Sequence, residues 1–151
     1  MSTIQSTPPR FDDVALLLGR ICMASLFLPS GIGKLLNFGQ LVSSLPTRGM
    51  PIGMSLPFPE IMAVLAVAIE IGGPVLLLIG VKTRWVALVM IAFVIMASLT
   101  SHRYWELEGQ LRSANSTQFY KNMTMIGGFL FLYVSGAGRW SWEGWQGAGQ
   151  F

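Results

Sequence analysis

Four long stretches of this chain carry almost no charge, and that constrains its fold more than any motif does. They run over residues 14–36, 61–81, 85–102 and 119–138. Each is close to the 20 or so residues that a helix needs to cross the hydrocarbon core of a bilayer. Backbone N–H and C=O groups find no water there, so a long apolar segment in that position must be helical. An ordinary soluble domain has about 25% charged residues. This chain of 151 residues has 11%, against 52% hydrophobic. Too few charges remain to cover a soluble globule, and disorder requires the opposite composition. The sequence therefore predicts an all-α fold: an integral membrane four-helix bundle, one domain over 1–151, with lipid as its principal partner.

The connections are unequal. Val81-Lys82-Thr83-Arg84 is a tight turn, so the second and third spans are antiparallel neighbours. Between the first two spans, Phe38, Leu41, Val42 and Leu45 recur at i, i+3, i+4 and i+7, which predicts a short amphipathic helix lying in the interface. Its continuation through Pro46, Pro51, Pro57 and Pro59 reads as irregular. The stretch from Arg103 to Tyr120 is polar and reads as a solvent-side loop. Met1 to Arg10 lacks the order of a cleaved signal peptide, and Asp12 or Asp13 reads as the N-cap of the first span. Trp140, Trp142 and Trp145 follow the last span, as interface aromatics do.

Four crossings put both termini on one side and the two long connections on the other. Lys and Arg divide five against five between the sides, a tie under the positive-inside rule. The compact Lys82/Arg84 turn and the acid-bearing Glu106/Glu108 loop favour cytoplasmic termini in a bacterial-type inner (plasma) membrane.

Several chemistries are closed to this chain acting alone. One cysteine, Cys22, makes neither an internal disulfide nor the thiol pair that membrane thiol oxidoreductases cycle. One Cys and one His do not furnish a four-ligand zinc site, and a single histidine does not hold a haem from both faces. Nine methionines form no repeated MxxM array, and Met is a common gap-filler, so no metal site is read from them. Gly31-Ile32-Gly33 and Gly127-Gly128 are helix-contact glycines without the Gly-Lys-Ser/Thr signature of a phosphate loop. A net charge of +3 with no basic cluster does not point to nucleic acid.

The ionisable groups in and beside the spans then become the informative residues, because each is costly where it stands. Arg20, Phe27, Gly31 and Lys34 fall on one face of the first span; Ala63, Ala66, Glu70, Gly73, Pro74 and Leu77 share a small-residue face of the second. Arg20 and Glu70 lie at comparable depth and are expected to form an intramembrane ion pair, with a structural role weighed above a functional one. Lys34, Glu60, His102 and Lys121 all come to the loop side, in one layer with Tyr104, Trp105 and Tyr120. Within that ring Lys34, His102, Trp105 and Lys121 form a candidate ligand site, the cations supplying charge and Trp105 a stacking surface. His102 has a plainer reading as a helix C-terminal residue stabilised by the dipole. Cys22 is most simply a small apolar residue.

In order and spacing the chain resembles the DoxX family of small four-helix membrane proteins. The resemblance is carried by Arg20, Gly31-Ile32-Gly33-Lys34, Glu70-Ile71-Gly72-Gly73, and Leu78-Ile79-Gly80-Val81-Lys82-Thr83-Arg84. It continues through His102-Arg103-Tyr104-Trp105, Phe119-Tyr120-Lys121-Asn122 and Gly136-Ala137-Gly138. It implies association with membrane redox systems; one branch looks like a subunit of thiosulfate:quinone oxidoreductase, and others are linked with sulfur metabolism and oxidative-stress complexes. The family also resembles the four-helix thiol oxidoreductases, from which this chain departs by lacking a cysteine pair. No catalytic residues are carried over. The first expectation is a small subunit of, or partner to, a quinone- or sulfur-compound-linked redox system. Such a chain has no intrinsic cofactor, with quinone the candidate ligand and other membrane redox proteins or further copies of itself as partners. A non-catalytic accessory or assembly subunit and a small-anion carrier are the alternatives.

Overall fold

The computed structural model describes residues 11–48 and 58–148. Among them every regular element is helical: α1 (Phe11–Leu36), α2 (Phe38–Arg48), α3 (Pro59–Ile79), α4 (Thr83–Ser101), a 3-10 turn (Tyr104–Glu106), α5 (Gly109–Ser135) and α6 (Trp142–Ala148). Three of these helices are long and apolar enough to cross a membrane: α1, α3 and α4 with its 3-10 extension. The readings of Met1–Arg10 and of Pro51 and Pro57 lie outside the described residues.

Three expectations about the helices are corrected. The polar stretch before the last span is not a loop, since α5 begins at Gly109, ten residues ahead of Phe119. Positions 109–118 place polar side chains such as Gln110, Arg112 and Asn115 around a helix. That pattern has no apolar face, and periodicity alone misses such a helix. Pro46 does not end α2, which continues to Arg48. Asp13 also departs from its reading as a cap. It sits in the first turn of α1, and its carboxylate accepts the Arg139 N–H at 3.0 Å, tying the C-terminal segment to α1.

α1 and α3 pack antiparallel, α3 and α4 follow through the tight turn, and α4 packs along α5. The turn begins at Gly80, whose φ of 75° is left-handed, and Gly80 and Val81 both donate to the Leu76 carbonyl. This is a glycine C-cap of the kind that closes a helix by returning N–H groups to its last turn. The central core joins Phe27, Leu77, Val86, Ala87, Met90, Val94, Phe129 and Leu132 from all four long helices. α2 lays Leu41 and Leu45 against Ala63 and Val67 of α3. Outward faces remain apolar; Phe131 is 79% exposed and Val134 73%.

Lipid tails are as apolar as Leu, so close packing must hold such helices together, and small residues permit it. Gly31 is the instance between α1 and α3: a Cβ there would stand 2.8 Å from Ile71 Cγ1 and 3.0 Å from Glu70 Cβ. That contact fixes the α1/α3 crossing and decides which charged residues meet.

Candidate polar cavity and the Arg20 anchor

Gly31 brings the backbone of α1 against Glu70, and Ser30 and Lys34 flank Gly31 on the same helix. Their side chains therefore reach the carboxylate: Lys34 Nζ pairs with Oε1, and Ser30 Oγ donates to Oε2 at 3.3 Å. Glu70 is buried, whereas the Lys34 side chain keeps 30% of its surface. Pro74 has no N–H to give to the Glu70 carbonyl four residues back, so the backbone at this point is also without its helical partner.

The expected Arg20–Glu70 pair does not form. Arg20 is fully buried, donating through Nη1 to the carbonyls of Leu77 and Leu78 at 3.2 and 3.1 Å and through Nη2 to the Trp140 carbonyl. The physical reason is distance. From the Gly31/Glu70 crossing, Arg20 lies eleven residues back along α1, about 16 Å at 1.5 Å per residue. At that level the antiparallel α3 has reached its last turn, where carbonyls lack intrahelical partners and the dipole is negative. A guanidinium with several donors satisfies these carbonyls, whereas the Glu70 carboxylate, about three helical turns away, is out of its reach. The surrounding end is closed by further bonds: Glu143 N–H to the Gly80 carbonyl at 3.1 Å, Thr83 N–H to Glu143 Oε1 at 3.2 Å, and Gly144 N–H to Ser141 Oγ at 3.0 Å.

The opposite end of the bundle is open. A cavity of about 320 Å³ lies between α1, α3, α4 and α5, lined by Lys34, Glu70, His102 and Lys121 together with Ser30, Gln118 and Asn122. Phe27, Phe93, Val94 and Met125 form its apolar walls. Three of the four proposed ligand residues are thus brought to one space. Trp105 is not: it packs edge-on against Tyr104 and Phe119 with ring centroids 5.4 and 5.9 Å away. In that outer aromatic cluster Tyr104 also lies against Tyr120, with ring centroids 6.1 Å apart. Glu60 is exposed at the start of α3 and does not line the cavity.

His102 closes α4 through its N–H to the Ser98 carbonyl at 3.2 Å, and its Nδ1 lies 3.4 Å from Asn115 Oδ1. Asn122, buried at the cavity wall, donates to Ser98 Oγ at 2.8 Å and so joins α5 to α4. Ser30, Gln118 and Asn122 were not singled out from the sequence. The available signal was spacing, since Ser30 precedes Lys34 by one turn and Gln118 precedes Lys121 by three residues. No group of three or more metal-ligating side chains is present among the described residues. Chemically, the cavity offers hydrogen-bond donors and one carboxylate beside aromatic and aliphatic walls. It suits a flat, partly polar molecule with acceptor oxygens.

Comparison with known proteins gives the same family as the sequence motifs. The DoxX family model matches residues 15–103, more than half of the chain. Inner membrane protein YphA of Escherichia coli is 30% identical over 125 residues, covering 83% of this chain and 85% of that protein. Inner membrane protein YqjF of the same organism is 33% identical over 132 residues, covering 87% and 92%. No solved structure matches. With its apolar helices, its motif order and this coverage, the chain belongs to the DoxX family of membrane proteins.

Proposed function

We propose that the cavity receives the head of a lipid-soluble quinone, and that the chain serves a membrane redox system as its small quinone-handling subunit. The observation that carries this reading is the convergence of Lys34, Glu70, His102 and Lys121 on one space with aromatic and aliphatic walls. A quinone head is a flat ring with carbonyl acceptors at opposite edges. Lysine and imidazole N–H groups are suitable donors to those carbonyls, and Phe27 and Phe93 offer ring surfaces. The volume falls within the range of about 300–1,000 Å³ typical of small-molecule sites. Reduction to a quinol takes two electrons and two protons. The electrons come from a partner protein or a small sulfur donor; the titratable side chains lining the cavity are the chain's means of passing protons.

The same reading makes α5 the fourth crossing, through its apolar half from about Phe119 onward, and lays α2 in the membrane interface on the cavity side. The family relatives named as inner membrane proteins support an inner-membrane location; cytoplasmic termini are the part of this reading that rests on the compact Lys82/Arg84 turn and the acid-bearing Glu106/Glu108 segment.

The test is equilibrium binding of a tail-less dimethoxy-dimethyl-benzoquinone, fully substituted so that it cannot add to a thiol, and of the homologue in which decyl replaces one methyl, to the purified chain in phosphatidylcholine nanodiscs. Both are expected to bind, with Kd weakened at least tenfold by Lys121→Met and by His102→Ala. Absence of saturable binding, or binding that neither substitution alters, sinks the proposal.

A further inference from the structure

We infer that the trough between α1 and α5 is the tail channel of the polar cavity, so that its ligand enters sideways from the lipid between these two helices. The inference rests on the quinone-head reading and adds the route and the second half of the ligand.

α1 and α5 touch sparsely compared with the other neighbouring pairs of long helices. The space left between them is a trough of about 510 Å³, walled by Gly19, Cys22, Met23 and Leu26 of α1 and by Thr124, Met125 and Gly128 of α5, with the Met23 methyl lying against Gly128. Leu26, Lys121 and Met125 border both this trough and the polar cavity, so the two spaces adjoin at those residues. Their chemistry changes abruptly at that junction. The cavity holds the carboxylate, the imidazole and the amides, whereas the trough offers polar atoms mainly from Thr124 and from Lys121 at its mouth. Lys121 is a long chain whose methylenes can border the apolar side while its ammonium serves the polar one.

Glycine shapes the floor. At Gly19 a Cβ would meet nothing within 4 Å, so the residue leaves open space that a larger side chain could occupy. This two-part arrangement suits an amphipathic molecule whose head needs hydrogen bonds and whose tail needs only apolar surface. A small water-soluble anion would have no use for the second part. A lipid-soluble quinone with a polyprenyl or alkyl tail has use for both, and it reaches the protein already dissolved in the bilayer onto which the trough opens.

Cys22 is the sole cysteine of the chain and is exposed in the trough wall, which makes it an internal reporter. In phosphatidylcholine nanodiscs, the rate of Cys22 alkylation by a lipid-soluble maleimide is measured with three additives at equal bilayer concentration: decyl quinone, tail-less quinone and decane. Decyl quinone is expected to slow alkylation at least tenfold, and the other two less than twofold. Gly19→Leu, which fills the trough, should bring the Kd of the decyl quinone to that of the tail-less one. The inference is overturned if decyl quinone binds with Lys121-dependent affinity while Cys22 reacts at its unliganded rate; the head reading then stands alone. It is also overturned if decane protects Cys22 as well as the quinone does, because the trough then holds ordinary lipid chains. Failure of both quinones to bind removes the head reading and this inference together.

Discussion

The two ends of the bundle treat buried charge in opposite ways. At the end near the chain termini, Arg20 is sealed, and its guanidinium donates to three backbone carbonyls. At the other end, Lys34 and Glu70 pair side chain to side chain, keep part of Lys34 exposed, and face a cavity. A charge held by main-chain groups has a fixed geometry; both terminal nitrogens of Arg20 are taken up by carbonyls, and the Nε, unpartnered among the described residues, is buried. A charge held by another side chain at a cavity wall can share its partner with a ligand's own hydrogen-bonding groups. The contrast divides the intramembrane charges of this chain into one fastener and one site.

The largest expected effect breaks the fastener. Arg20→Met strips charge-assisted bonds from the last turn of α3 and from the Trp140 carbonyl, each worth about 1.5–3 kcal/mol. Leaving those acceptors unpaired in a low-dielectric setting should cost roughly 3–5 kcal/mol in all. Reversible unfolding in mixed detergent micelles reads this, and the fraction that remains folded should bind quinone with the parental Kd. A variant within about 1 kcal/mol of the parent would remove Arg20 from its role as the tie between α1, α3 and the C-terminal segment.

A smaller loss is expected from Gly31→Val, which attacks the other end through packing. The new side chain meets Ile71 and Glu70 where even a Cβ would be 2.8–3.0 Å from them. Overpacking of this kind costs about 1–3 kcal/mol. Because the same contact places Lys34 on Glu70, the quinone Kd should weaken with stability here, whereas for Arg20→Met the two should separate. Equal behaviour of the two variants would erase the distinction between fastener and site.

Much of this was legible before any coordinates. Charge-free runs give the helices, and 100° per residue gives the faces. Arg20, Phe27 and Gly31 of α1, and Ala63, Glu70, Pro74 and Leu77 of α3, are buried as their spacing requires. The convergence of Lys34, His102 and Lys121 followed from which helix ends share a side. Pairing did not follow. Matching Arg20 to the nearest acid treats carbonyls as satisfied, and at a helix C-terminus they are not. The polar first half of α5 was also hidden, since a helix without an apolar face leaves no periodic trace.

Trp105 carries the smallest expected effect and sharpens the boundary of the site. Sequence order places it three residues after His102, and on topology alone it belongs to the same layer. The 3-10 turn Tyr104–Glu106 turns it instead into the aromatic cluster with Tyr104 and Phe119, where it is 46% exposed and does not border the cavity. Trp105→Ala should therefore change quinone affinity less than twofold, while His102→Ala weakens it at least tenfold. Edge-to-face aromatic pairs are worth about 0.5–1.5 kcal/mol, so a small stability loss is expected without a binding loss. Titrations of the two variants side by side in the same nanodiscs make the comparison. A tenfold loss for Trp105→Ala would mean that the cluster reaches over the cavity when a ligand is present, and the site would then extend from the membrane-level polar groups to the aromatic layer above them.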